Sequence, residues 1–206
     1  MIPIFTILFI LFIMVVKIAI NRADASQEEV TSRFWERERE ANSTIRKDTA
    51  NLRYINIPDK FFPLNNHKIN DLKDATLVNL TGMSNTDIKL QYGVPNFQKL
   101  SDYDNNFTEF VILVPDYYNT LVEAGYDELA LELLEFAVDI GADSKAIYQL
   151  LAASYIKQSK GAKITELITK ANELNSLSKS GIISTLKTLQ AGSGDGERDV
   201  PENIAL

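Results

Sequence analysis

Two patterns of apolar and polar positions divide the chain. The first is continuous: "MIPIFTILFILFIMVVKIAI" is apolar from Ile2 to Ile20 except at Thr6 and Lys17. About 19 residues at ~1.5 Å each give roughly 28 Å, close to the thickness of a bilayer core, so one transmembrane helix is expected over residues 1–22. Lys17 falls near the end of that run, where a long side chain can reach the headgroups. A cleaved signal peptide competes, because Ala23, Asp24 and Ala25 form a small-x-small pattern before Ser26. No basic residue precedes Lys17, and that favours an anchor.

The second pattern is periodic. In "SQEEVTSRFWERERE" and its continuation, Val30, Phe34, Ala41 and Ile45 fall on one helical face. Glu29 with Arg33, and Glu36 with Arg39, stand at helical neighbour spacings. Residues 23–51 therefore read as a charged helical stalk. It is either a spacer or a recognition helix that contacts a partner through Phe34 and Trp35. Residues 52–68, "LRYINIPDKFFPL" and beyond, carry two prolines and brief alternation without a sheet partner, which predicts an extended linker whose aromatics dock on the helical body. Helical spacing governs residues 69–190. "INDLKDATLVNL" is a modest helix candidate, and "SNTDIKLQYG" has N-cap residues from Ser84 to Asp87 and a stop at Gly93. In "NFQKLSDYDNNFTEFVILV", Phe97, Leu100, Tyr103, Phe107, Phe110 and Val114 recur at steps of three and four, the mark of a buried face.

Charge and chemistry narrow the picture. The chain has 206 residues, a net charge of −7 and no cysteine. This composition allows one ordinary domain with accessory segments, offers no basic stripe for nucleic acid, and excludes disulfides and thiolate zinc sites. "DYDNN" begins like a calcium loop at Asp102, Asp104 and Asn106. Phe107 stands where the turn glycine belongs and Leu113 where the bidentate glutamate belongs, so calcium is not expected there. His67 has no partner at ligand spacing and reads as a solvated loop residue. Asp102, Asp104 and Glu109 read as solvated helix positions. No nucleophile and base pair, phosphate-cradling loop, metal cluster or cofactor signature appears, so neither an enzyme nor a small-molecule substrate is expected. Lysine and arginine follow the expected span and none precede it, which would place the C-terminal body in the cytoplasm. Three acceptor sequons, at Asn42, Asn79 and Asn106, would then be inert.

A longer period emerges from "GYDELALELLEFA". Gly125, Ala130, Leu134 and Ala137 follow the order of small and large residues seen in the second helix of a tetratricopeptide repeat (TPR). A step of 34 residues carries Leu121 to Tyr155, Ala130 to Ile164, Leu134 to Ile168 and Ala137 to Ala171. Tyr148, Leu151, Ala152 and Tyr155 match the first-helix pattern. Ser159 occupies the glycine position and Gly161 follows, so a displaced turn is expected. The chain thus resembles a TPR-like helical-repeat protein with an N-terminal membrane anchor, and is similar to small, uncharacterised single-pass bacterial membrane proteins that bring no known activity.

The resemblance implies an all-α fold: transmembrane helix, charged stalk, then a TPR-like α-α superhelix of about two repeats, near 111–144 and 145–178. The helices from Ile69 to Val114 would cap it at one end and a helix over 180–190 at the other. Pro115 lies within the first helix of the first repeat, which implies a start or a kink there. Residues 191–206 read as a disordered acidic tail. In this family first helices line a groove, which implies partner contacts at Asn119, Glu123, Gln149 and Lys157. Asn119 matches the asparagine with which some members clamp chaperone tails. Pro115, Ala146 and Leu150 replace their basic residues, so that ligand is not expected. The function expected is a membrane-tethered protein-protein interaction module, an adaptor or assembly factor that binds a protein or peptide partner. The alternative is a structural subunit of a membrane complex acting through its anchor and stalk.

Overall fold

The computed structural model describes residues 4–194. In chain order the elements are α1 (Ile4–Asn42), β1 (Ile55–Asn56), a 3-10 turn (Asp59–Phe61), α2 (His67–Asn70), β2 (Thr76–Leu77), α3 (Asn85–Tyr92), α4 (Val94–Glu123), α5 (Asp127–Asp139), α6 (Lys145–Lys157), α7 (Lys163–Glu173) and α8 (Lys179–Gly194). The described residues are 70% helical and 2% strand, which makes the fold all-α. Two compact units separate: residues up to Asp48 with Ser84–Phe97, and Thr49–Met83 with the residues from Gln98 onward.

In the first unit the second half of α1 is docked through polar contacts. The Lys89 ammonium donates to Glu38 Oε1 at 2.7 Å and to Asn42 Oδ1 at 2.8 Å, and Arg37 pairs with Asp87. The Thr44 hydroxyl donates to the Lys89 carbonyl and the Lys47 amide to the Tyr92 carbonyl. Helix α3 begins with a capping box in which Ser84 and Asp87 satisfy each other's backbone donors. It ends at Gly93, whose φ of 84° lies in the left-handed region. A Cβ there would stand 2.0 Å from the Ile45 carbonyl oxygen, so the Thr44–Arg46 backbone can pass only over a glycine.

The first half of α1 corrects the expected anchor. No helix among the described residues is long and apolar enough to cross a membrane. The expected span counted Ile2 and Pro3, which lie outside the described residues, and ran on through Lys17. The uncharged stretch from Ile4 to Val16 is about 13 residues, roughly 20 Å of helix against the ~30 Å of a bilayer core. The single-pass assignment and the cytoplasmic orientation drawn from it both fall with the span. The apolar side chains from Leu8 to Val16 are exposed. Nor is the expected stalk face a packing face. Of its four residues only Ala41 is buried; Val30, Phe34 and Ile45 are exposed, and Ile45 lies beyond the helix end.

In the second unit the stretch with no evident sheet partner finds one. Ile55 pairs with Leu77 and Asn56 with Thr76 in an antiparallel ladder. "INDLKDATLVNL" is consequently not a single helix: a one-turn α2, begun by His67, gives way to β2 and the segment after it, in which Leu77, Val78 and Leu80 are all buried. Such a run of nearly consecutive buried residues does not suit a one-sided helix. Helix α4 holds this segment. Its Tyr103 carbonyl accepts the Val78 amide at 3.2 Å and its Asp104 Oδ1 the Leu80 amide at 2.9 Å, while Asn106 Nδ2 donates to the Thr76 carbonyl at 3.1 Å. Asp104 is therefore a loop anchor rather than a solvated helix position. Phe61 is 2% exposed, meets Phe136 at a tilt with ring centres 5.5 Å apart, and gives its carbonyl to the Tyr117 hydroxyl. Phe136 in turn meets Phe110 edge to face, a contact worth about 0.5–1.5 kcal/mol beyond the area buried. Helix α4 runs through Pro115 without starting there: the buried proline removes one donor and the helix continues.

Helices α5 to α8 stack in order, with α6 against α5, α7 and α8. The turn closing α4 recurs at the end of α6. Gly125 donates to the Val122 carbonyl and Tyr126 to that of Leu121; one 34-residue period later Ser159 donates to Ile156 and Lys160 to Tyr155. Gly125 has φ 82° and Ser159 φ 57°, so the second turn is not displaced to Gly161, because serine itself takes the left-handed conformation. Burial repeats with the same period: Ala130 and Ile164 are fully buried, as are Ala137 and Ala171. Helix α8 continues past the expected cap to Gly194, and the tail expected over 191–206 lies from 195 onward outside the described residues.

The two turns predict opposite mutational effects. A Cβ on Gly125 meets nothing within 4 Å, so Gly125→Ala isolates the cost of a left-handed L-residue, roughly 1–2 kcal/mol. Ser159→Gly removes that strain and raises stability by up to about 1 kcal/mol, less the chain entropy glycine adds. Urea midpoints at constant slope are the measurement.

Candidate functional site

Helices α4 and α6 carry the four residues expected to contact a partner. Asn119 and Glu123 are exposed on the last turns of α4; Gln149 is half-buried on α6, and Lys157 is exposed at its end. The two helices meet where the Tyr118 hydroxyl bonds the Ser154 hydroxyl at 2.9 Å, so Asn119 and Ala153 flank one contact. Ile112, earlier on α4, is 68% exposed. This face is open: none of the four side chains lines the cleft described below. In the other unit, the stalk pair Phe34 and Trp35 meets edge to face at 5.3 Å with both rings exposed.

Charged chemistry concentrates elsewhere, on α5 and α7. Helix α5 buries Leu133, Leu134, Ala137 and Val138, which leaves Glu135 and Asp139 one turn apart at the rim. Helix α7 buries Ile164, Leu167 and Ala171, which leaves Lys163 and Lys170 two turns apart. The Lys163 ammonium donates to Glu135 Oε1 at 3.1 Å and that of Lys170 to Asp139 Oδ1 at 3.3 Å. The pairing keeps its order along both helices, so they run the same way. Around the pairs lies a cleft of about 430 Å³ whose lining includes Phe136, Leu151, Tyr155 and Glu166.

Tyr155 closes this network. Its hydroxyl donates to Glu135 Oε1 at 2.7 Å, and Lys163 Nζ lies 4.9 Å from the centre of its ring. Burial, and then the hydrogen bond to an anionic Glu135, push the phenol far above its ordinary value. For Glu135 itself burial acts upward, but the hydrogen bonds from Tyr155 and Lys163 outweigh it and hold the carboxyl below its usual range. Asp139 is likewise lowered, first by Arg53, which donates to its carboxylate at 3.0 Å and to its backbone carbonyl, and also by Lys170. The arrangement keeps two carboxylates ionised and two lysines committed. It ties α5 to α7, with α6 contributing Tyr155, and presents fixed charge at the cleft, with the phenol held as a donor.

Sequence spacing does not reveal this network, since Glu135 and Lys163 belong to different hairpins. The signal was indirect: the 34-residue register carries Leu121 to Tyr155, so a polar tip replaces an aliphatic end beside Glu135. No protein-family model matches the chain, and no curated protein or solved structure is significantly similar to it.

The carboxylates set a pH dependence. Glu135 and Asp139 are depressed in the folded chain, so the stability they add is present above their ordinary values of 4.5 and 3.8 and is lost as pH falls through the lower folded values. Glu135→Gln should flatten this acid limb and lower stability at neutral pH by about 1 kcal/mol, since it weakens two charge-assisted bonds at a partly exposed site. Thermal melts from pH 7 to pH 3 compare the two.

Proposed function

We propose that this protein is an interaction module, an adaptor or assembly factor, that works through binding rather than catalysis. It would hold an amphipathic helix or extended peptide of a protein partner on the face formed by α4 and α6. One observation carries the reading: the left-handed turn, its two hydrogen bonds and the buried small residues recur at a 34-residue period, the period of TPR proteins. The packing of α6 against α5, α7 and α8 has the neighbour order of such an array. The exposed mixture of Ile112, Asn119, Glu123, Ala153 and Lys157 suits a partner with both apolar and polar positions. No cofactor is needed for this role.

A second reading rests on a different observation, the exposed Phe34 and Trp35 pair. Aromatic residues often anchor interfaces, and here they would make the protein a structural subunit that packs through α1.

The two readings separate by mutation. Capture of the full chain from its native cell should retain a specific partner. The change of Asn119 and Glu123 to Lys, and of Gln149 and Lys157 to Glu, should abolish it without altering the melt. Retention by that variant would sink the groove assignment. Loss on Phe34→Ala with Trp35→Ala would move binding to the stalk.

A further inference from the structure

Helix α1 has a face that no described residue covers. Every described side chain from Ile4 to Arg37 is exposed, and among the described residues those from Ile4 to Trp35 form hydrogen bonds only within the helix itself. A helix in water owes most of its stability to an apolar face packed on something else, so this stretch lacks its support.

Its residues carry a regular stripe. Val16, Ile20, Ala23, Gln27, Val30 and Phe34 follow one another at steps of four and three, the heptad spacing of a coiled coil, with Ile20, Gln27 and Phe34 at a and the others at d. Ile13 and Phe9 continue the stripe toward the start of the helix. Between Lys17 and Arg33 only Ile18, Ala19 and Ala25 are apolar outside it, and the positions around them carry charge of both signs. The stripe there has the width of a helix partner rather than of a lipid surface. Phe9, Ile13, Val16, Ile20, Val30 and Phe34 are all exposed. Past Phe34 the same stripe reaches Arg37, which pairs with Asp87 of α3, and the fully buried Ala41. The chain covers its own last heptad and leaves the rest open.

We propose that this open face is closed by a second copy of the chain, in a parallel, in-register coiled coil. Self-pairing follows from what each position would meet. In parallel register the apolar half of the helix, up to Val16, lies against its own copy; with the strands reversed over the same length it would lie against Glu28, Glu29 and Arg33. Gln27 meets Gln27, whose amide both donates and accepts, and a single polar residue at an a position fixes register. Arg33 at g and Glu38 at e have opposite charges, which pair across parallel strands. Glu38 is already ordered by Thr86 and Lys89. The inference rests on the stalk reading, to which it gives a partner, and is independent of the α4–α6 face.

The test is sedimentation of the full chain without detergent, beside variants on and off the stripe. The chain should run as one species of two or more copies that shifts toward monomer on dilution. Val16→Ser with Ile20→Ser should weaken association more than about a hundredfold, since every copy loses two covered side chains. Leu11→Ser with Ile18→Ser, at the outward f positions, should change it less than about threefold. All four residues are exposed in the single chain, so neither pair disturbs the packed parts. The chain has no cysteine, and Gln27→Cys therefore reports orientation: mild oxidation should link parallel copies covalently, whereas Ser32→Cys, facing outward, should not link. A monomer, or equal loss from both serine pairs, would overturn the proposal, and an oligomer without the Gln27→Cys link would overturn its parallel register. A monomer that floats with phosphatidylcholine vesicles would assign the stripe to lipid instead. A monomer that still loses a captured partner on Phe34→Ala with Trp35→Ala would overturn the second copy while leaving the stalk reading in place.

Discussion

The helical stack depends on the reversal of the chain after α4, α5 and α6, and at each of these that reversal is a left-handed residue closed by two backbone hydrogen bonds. Gly125, Gly141 and Ser159 all take positive φ. Each turn satisfies carbonyls that the helix end leaves free, and each sends the next helix back along the last. Ala130, Ala137 and Ala171, fully buried, then allow close approach where larger side chains would hold the axes apart. The charge pairs between α5 and α7 come after this geometry. Exposed pairs of their kind contribute only about 0.2–1 kcal/mol each, so they orient a stack that backbone turns and apolar packing already hold.

Helix α4 imposes a second constraint. It is a 30-residue element whose middle receives a segment that has almost no regular structure of its own. The two-residue ladder cannot stand alone. It persists because Tyr103, Asp104 and Asn106 accept or supply its backbone bonds and because Phe61 reaches the aromatic cluster with Phe110 and Phe136. Burial pushes the Asp104 carboxyl upward against the bond from Leu80, a sign that this anchor sits partly out of water.

The helical class was legible, as were α3 with its Ser84 cap and Gly93 stop, because those features are local and written in periodicity. The 34-residue register was also legible from Ala130, Ala137 and Ala171. What was missed depended on distant partners. The β1 strand is unreadable without β2, and Asp104 looks solvated until Leu80 arrives. The turn at Ser159 was misplaced because sequence reasoning assigns left-handed backbone to glycine, and here the hydrogen bonds of the turn impose it on serine. The apolar start of the chain was read as a span because length was counted through Lys17. The face around Asn119 and Lys157 came from a family resemblance, whereas the cleft beside Asp139 arises from chain segments that no spacing rule joins.

The sequons acquire a different meaning once the loops are seen. At Asn79 and Asn106 the nitrogen that would carry a sugar already donates to backbone carbonyls, at Ile140 and Gly141 and at Thr76. A glycan on either asparagine would remove a donor and set a bulky group against the chain it now holds. Glycosylation at Asn79 would therefore compete with the two bonds that close the α5–α6 turn, and at Asn106 with the bond to Thr76.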